Sequence, residues 1–341
     1  MFTQRLLPLA LVATGLAPLA PLAHAAELRV LTHDSFELPK PLIAQFEKQS
    51  GVKLSIIKAG DAGAMVNKLI LTKANPIADV AYGIDNSLVG KAAAAGVIEP
   101  YAPAGKAVQN LPNGVVSVDY GYVTLNIDKA WFAKHGKPLP TSLDALTTPV
   151  YKDLLVMPNP ATSSPGLAFL SANVQSMGED KAFAFWGKLR DNGVKVAKGW
   201  SEAYYTDFSR NGGSRPIVVS YATSPAAEVF YSKTKLTESP TANLNLPGGV
   251  FQQVEGAALI KGGGERVAAR QFIDYLRSVP VQQALQTTMW MYPVNPAAAI
   301  DPVFRHADKP AGVKPADSQA IAARGQQWVA RWTRVVLKGG Q

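Results

Sequence analysis

The chain has 341 residues, 34 Lys and Arg against 25 Asp and Glu, a formal net charge of +9 and no cysteine. The missing thiols exclude disulfide scaffolds and Cys-ligated zinc or iron–sulfur centres. With 47% hydrophobic and 17% charged residues and no fixed-period repeat, disordered, collagen-like and coiled-coil chains are excluded too, leaving a globular protein with room for two cores.

Residues 1–25 stand apart in composition. Arg5 is their only charge, the apolar run from Leu6 to Leu22 is broken by Pro8, Gly15, Pro18 and Pro21, and Ala23-His24-Ala25 supplies the small residues of a cleavage site. This predicts a signal peptide cleaved after Ala25 and an exported protein; the broken run argues against a membrane anchor. The remaining Lys and Arg are scattered singly, with no aromatic-interleaved cluster, so the charge reads as a basic surface and not as a nucleic-acid interface.

From Leu28 onward the pattern alternates. Leu28, Val30 and Thr32 predict a strand, Leu42, Ile43 and Phe46 a helix closed by Gly51, and Val52 to Ile57 a second strand. Met65 to Ile70 predict a second helix, Asp79 to Ile84 a third strand, and Leu88 to Ala95 a third helix. Repeated strand–helix–strand units imply an α/β fold with a parallel sheet flanked by helices, whose ligands gather beyond the carboxyl ends of the strands. That rim carries His33-Asp34-Ser35, Gly60-Asp61-Ala62 and Ile84-Asp85-Asn86.

Val115 to Asn126 is a long β-branched and aromatic stretch of the kind expected where a strand crosses between domains. A second α/β region follows, with a helix at Ser142 to Leu146, a strand at Leu154 to Met157, a long helical region from Pro165 to Leu189 and a strand at Ile217 to Tyr221. Phe251 to Ile260 is the return crossing, Val267 to Leu285 carries a helical stripe, and a last helix holds Trp328, Trp332 and Val336. The resulting domains are 26–117 plus 255–300 for one lobe and 118–254 for the other, with a C-terminal helical segment at 301–341. Two lobes joined by crossover strands enclose a cleft that closes about hinges.

Catalytic motifs fail against this frame. Outside the signal only His33, His135 and His306 exist, none with a partner at metal-binding spacing, and Gly-x-Ser-x-Gly is absent. Ser232-Lys233-Thr234-Lys235 matches Ser-x-x-Lys, but the accompanying Ser171-Ala172-Asn173 precedes it and no Lys-Thr-Gly follows. The chain is therefore read as a binding protein and not an enzyme, with no metal and no cofactor.

What the chain offers instead is aromatic side chains in turn-rich settings, at Asp119-Tyr120-Gly121-Tyr122, around Trp200-Ser201-Glu202-Ala203-Tyr204-Tyr205, at Tyr221-Ala222-Thr223-Ser224-Pro225 and at Met289-Trp290-Met291-Tyr292-Pro293. Aromatic faces attract organic cations and stack flat rings. Asp61 either caps the helix after it or accepts hydrogen bonds from a ligand amine. Thr162-Ser163-Ser164-Pro165-Gly166 places hydroxyls before a helix with Pro in its first turn, an arrangement suited to a phosphate.

These runs, together with Thr32-His33-Asp34-Ser35-Phe36, Gly83-Ile84-Asp85-Asn86 and Trp290-Met291-Tyr292-Pro293-Val294, resemble the thiamine-binding family of periplasmic proteins that serve bacterial ABC importers. The resemblance runs in order along nearly all of the chain after residue 25. It implies a two-lobed periplasmic binding protein of type II, monomeric, that closes on thiamine, thiamine phosphate or thiamine diphosphate and presents it to a permease in the inner membrane. It places Asp61 and Ala62 near the aminopyrimidine, Ser163 and Ser164 near the phosphate, Trp200, Tyr221, Ala222, Thr223 and Ser224 along the cleft, and Trp290 and His33 against the rings. Where the family pattern has Tyr-Asp-Ser and Asp-Gly, this chain has His33-Asp34-Ser35 and Asp61-Ala62; an imidazole still stacks but titrates near neutrality. The rival ligands are ferric iron, for which Tyr204-Tyr205 is a suitable phenolate pair, and a polyamine, which calls for more carboxylates.

Overall fold

The computed structural model describes residues 26–103 and 105–340, so the expected signal peptide lies outside the described residues. Eleven strands form one continuous sheet: β1 (Glu27–Thr32), β2 (Lys53–Lys58), β3 (Val80–Asp85), β4 (Ile98–Glu99), β5 (Val116–Asp128), β6 (Leu155–Pro158), β7 (Lys195–Ala197), β8 (Ile217–Tyr221), β9 (Thr241–Leu244), β10 (Phe251–Ile260) and β11 (Tyr292–Pro293). The spatial order is β2-β1-β3-β10-β5-β8-β6-β7, with β4 on β10 and with β9 and β11 on β5.

Each end of this sheet is parallel, β2-β1-β3 in the first lobe and β8-β6-β7 in the second. The long strands β5 and β10 cross between them and pair antiparallel, Phe251 opposite Val123 and Glu255 opposite Asp119. They fuse the two parallel sheets because one carries the chain from the first lobe to the second and the other carries it back. The expected lobe limits at 117/118 and 254/255 fall inside these two strands.

Alternation along the buried strands feeds both faces of the sheet. Leu28, Val30, Val80 and Tyr82 enter one core of the first lobe, while Leu31, Ala81 and Ile84 enter the core on its other face. In the second lobe Leu155, Met157, Ile217 and Val219 join the large core around Phe169 and Trp186, and Val156 and Val218 face Tyr204 and Phe208.

Helix boundaries depart from the sequence expectation at identifiable breakers. The long helical region is two helices, Ser164–Met177 and Glu179–Asp191, parted at Gly178 with φ of 78°. The helical stripe from Val267 to Leu285 is likewise two helices, Arg266–Leu276 and Val279–Thr288, with Pro280 in the first turn of the second. At Ser142 to Leu146 there is no α-helix but a 3₁₀ turn, Asp144–Thr147, which Pro149 prevents from growing. Helices Lys129–His135 and Ser224–Phe230 escape a periodicity reading because seven residues give only two turns.

The C-terminal helix Ser318–Trp332 belongs to both lobes. Trp328 and Trp332 enter the second-lobe core, Trp332 standing edge-on to Trp186 with ring centroids 5.8 Å apart. Farther up the helix, Ala322 lies so close to Gly90 that a Cβ there would meet the Ala322 Cβ at 2.3 Å. Trp332 is fully buried. Trp332→Ala should therefore destabilise the protein by about 3–5 kcal/mol, read as a lowered denaturation midpoint with unchanged slope.

Candidate binding cleft

The rim loops of the first lobe meet those of the second directly. Asp61 caps the helix Ala62–Leu71, its Oδ1 accepting from Ala62 N at 2.7 Å, and its Oδ2 accepts the Trp200 N–H from across the cleft at 2.9 Å. Ala64 N donates to Thr162 O at 3.0 Å. Gly63 makes that approach possible, since a Cβ there would lie 2.7 Å from the Thr162 carbonyl carbon. Both roles foreseen for Asp61 are compatible in one carboxylate, because each of its oxygens, engaged once by Ala62 N or Trp200 N, can accept a further hydrogen bond.

Between the lobes lies a cavity of about 410 Å³. His33, Asp61, Ala62, Ser164, Trp200, Tyr221, Thr223, Ser224 and Trp290 all line it, whereas Ser163 and Ala222 do not. Ser163 sits just before the helix Ser164–Met177 with its side chain turned into the protein, and no partner for its hydroxyl is found among the described residues. Ala222 is fully buried with Tyr122, Tyr292 and Phe304, and its N–H donates to Tyr122 O at 2.8 Å. The aromatic run at Asp119 to Tyr122 also faces elsewhere: Tyr120, Tyr122 and Tyr292 surround the Lys309 ammonium at 5.4, 6.0 and 4.9 Å. That cage takes its cation from the chain itself.

Two tryptophans are held rigidly. Trp200 donates from Nε1 to Ser220 Oγ at 2.8 Å and stacks on Tyr204 at 5.3 Å with 22° between planes. Trp290 has φ of 59°, a left-handed conformation uncommon for a bulky residue. Strain of this kind persists where surrounding contacts over-determine it. Here the Thr223 hydroxyl donates to Trp290 O at 2.6 Å and Phe304 stacks on the indole at 6.2 Å and 14°.

Sequence reasoning missed Glu255 and Glu228, single acids without a recognisable motif. Glu228 accepts from the Tyr204 hydroxyl at 2.9 Å and from Arg210 Nε at 3.1 Å. Burial, then the Glu228 charge, push the Tyr204 phenol well above its ordinary value, and burial raises Tyr205 as well. The Tyr204 hydroxyl is thus engaged by Glu228, and the pair stands in an aromatic wall with Trp200. Glu255 lines the floor, 4% exposed, with Oε1 3.2 Å from His33 Nε2. Behind it the Tyr82 hydroxyl is hydrogen-bonded to Asp119 Oδ2 and lies 2.9 Å from Glu255 Oε2. Gly83 holds φ of 112° there, and a Cβ on it would strike the His33 ring at 2.6 Å.

Ser232 and Lys233 lie along the cavity, but the Ser232 hydroxyl contacts Thr234, and Ser171 and Asn173 are buried in the helix Ser164–Met177. These residues assemble no hydrolase constellation among the described residues. Paired lobes clasped over an aromatic and acidic cavity define instead a solute-binding protein, and residues 75–323 match the family described as bacterial extracellular solute-binding protein. The chain belongs to that family, whose members bind solutes for transport and are not enzymes.

Within it, the chain is 32% identical over 344 residues to the thiamine-binding periplasmic protein of Escherichia coli strain K12, covering 98% of this chain and 99% of the relative. A solved structure of a periplasmic thiamin binding protein superposes with a TM-score of 0.81 at 30% identity, over 94% of this chain and 99% of that one. Iron uptake protein A2 of Synechocystis sp. is more distant, 23% identical over 265 residues, 74% of this chain and 75% of that protein.

His33 gives the site a measurable pH signature. Burial opposes its charge, but Glu255, with Asp61 and Asp34 farther off, more than compensates, so its pKa lies above 6.5. A raised folded-state value means that the imidazolium contributes stability fully below the unfolded pKa, and that this contribution is lost as pH rises through the folded one. Thermal melts between about pH 6 and pH 9 should show the wild type losing stability relative to His33→Gln as pH rises. Parallel curves would deny the ion pair.

Proposed function

We propose that the cleft captures thiamine and its phosphate esters in the periplasm, and that the protein, as a monomer, hands them to the inner-membrane permease of an ABC importer. The observation that carries this reading is the interlobe cavity in which Trp200 and Trp290 stand with Asp61 and Glu255. The thiazolium of thiamine bears a permanent positive charge, which aromatic faces and carboxylates stabilise most once closure removes water. Asp61 lies where an exocyclic amine can donate to it, and the similarity to named thiamine-binding proteins over nearly the whole chain supports the same ligand. The crossing strands β5 and β10 serve as the hinges, and the segment 301–341 spans both lobes behind them.

Charge distribution orients the ligand. Ser164, expected at the phosphate, receives a hydrogen bond from Gln253 Nε2 at 3.2 Å and stands beside Asp85, whose carboxyl burial raises to about 6. An anion is poorly placed there. Arg210 and Lys233 also line the cavity, Arg210 paired with Glu228 and Lys233 with no side-chain partner among the described residues. The phosphate end therefore points to Arg210 and Lys233, and the cationic rings to the acidic floor.

Tryptophan fluorescence of refolded, ligand-stripped protein, checked by calorimetry, should respond to thiamine and its phosphates and not to Fe(III) or spermidine. A response to iron or spermidine alone would overturn the reading. Trp200→Ala and Trp290→Ala should each weaken thiamine binding by at least about tenfold without unfolding the protein. Arg210→Gln combined with Lys233→Gln should weaken thiamine diphosphate by about tenfold and leave thiamine nearly unchanged. A selective loss of the phosphorylated forms in Ser163→Ala with Ser164→Ala would return the phosphate to the helix start.

A further inference from the structure

Glu255 is where the crossing strands, the first-lobe rim and the cavity meet. It lies opposite Asp119 in the β5–β10 ladder, and the register of β10 shifts on both sides of Gly256, against β5 and against β3. Such irregularities re-aim side chains beside binding sites. Gly256 is required there, because a Cβ would meet Val116 O at 2.5 Å. Two carboxylates directly opposed in a dry ladder repel each other, and one proton held between them relieves the conflict. Burial first, then the Glu255 charge, push Asp119 well above its ordinary value, the direction that favours the proton there. The Tyr82 hydroxyl between the two has a single proton of its own. With Asp119 protonated it accepts from Asp119 and donates to Glu255 Oε2, which leaves the negative charge on the residue that faces the cavity.

The other oxygen, Oε1, faces His33 at 3.2 Å. The charged and titratable groups around this pair are Asp34 and Asp61 from the rim loops, Tyr82 and Asp85 from β3, Asp119 from β5, and Tyr221 from β8. All but the two phenols and the protonated Asp119 favour positive charge between the lobes. Two cations cannot both sit against one buried carboxylate without repelling each other.

We propose that Glu255 exchanges one cation for another: it holds the imidazolium of His33 when no ligand is bound, and a cationic heterocycle displaces that proton to solvent when it binds. This rests on the thiamine reading and names the group that lets the cleft distinguish the charged heterocycle from a neutral isostere. The His33 proton is the only species released, and no bond to the ligand forms.

Calorimetric titration in two buffers of different ionisation enthalpy counts the protons released, and thiamine is compared with its neutral analogue carrying thiophene in place of thiazolium. The wild type should bind thiamine at least about tenfold more tightly than the analogue and release up to about one proton, with affinity rising up to about tenfold per pH unit below the His33 pKa. Glu255→Gln should abolish both the preference and the proton release, while His33→Gln should abolish the release and keep the preference. Equal losses for both ligands in Glu255→Gln, or undiminished proton release in His33→Gln, would overturn the exchange while leaving thiamine as the ligand. Should Glu255→Gln fail to fold, His33→Gln and the analogue comparison on the wild type still decide. Wild-type protein that binds neither compound would overturn the thiamine reading itself, and the exchange with it.

Discussion

The antiparallel pairing of β5 with β10 is the constraint on which the rest of this molecule depends. Each strand begins in one lobe and ends in the other, so their ladder fuses two parallel sheets into one and sets the axis about which the lobes face each other. The same ladder carries chemistry. Register places Glu255 opposite Asp119, and the shift at Gly256 directs one of the two acids to the cavity floor. A slip of β10 by one residue would turn Glu255 to the opposite face and remove the floor as well as the fold.

Rigidity in the cleft comes from contacts that each side chain makes away from the ligand. Trp200 is tied by its indole N–H to Ser220 and by its backbone to Asp61 of the other lobe. Trp290 is held in an unfavourable backbone conformation by Thr223 and by the face of Phe304. Closure and presentation of the aromatic walls are thereby one event, since the Asp61 bond that clasps the lobes also orients Trp200. A binding surface fixed in advance loses little entropy when it is occupied. The acidic floor is held in the same way, by the Tyr82 hydroxyl hydrogen-bonded between Asp119 and Glu255.

A basic protein surface and an acidic cavity are not in conflict. The formal charge of +9 is spread over exposed Lys and Arg in high dielectric and is screened within about 10 Å. Asp61 and Glu255 act within the cleft at short range, Glu255 from a buried position. Arg210 and Lys233 line the cavity too, and Arg210 is paired there with Glu228.

The sequence by itself determined the α/β class, the crossing strands and much of the aromatic wall. Alternation and helical spacing are local physics, so the stretches Val115 to Asn126 and Phe251 to Ile260 are legible as long strands, and Trp200, Tyr221 and Trp290 stand out in turn-rich runs. Resemblance to the thiamine-binding family added the ligand class. Only the tertiary structure decided which way side chains turn and which distant groups meet. Ser163 and Ser164 are neighbours in sequence, yet one is turned into the protein and the other into the cavity. Tyr120 and Tyr122 look like ligand residues until Lys309, far along the chain, fills the space between them. Glu255 is a lone acid in an apolar strand, and its role arises from Asp119, Tyr82 and His33, which lie far from it in the chain. The physical reason is the same throughout: hydrophobic period is written residue by residue, whereas charge, protonation and exposure depend on partners that only the closed chain brings within a few ångströms.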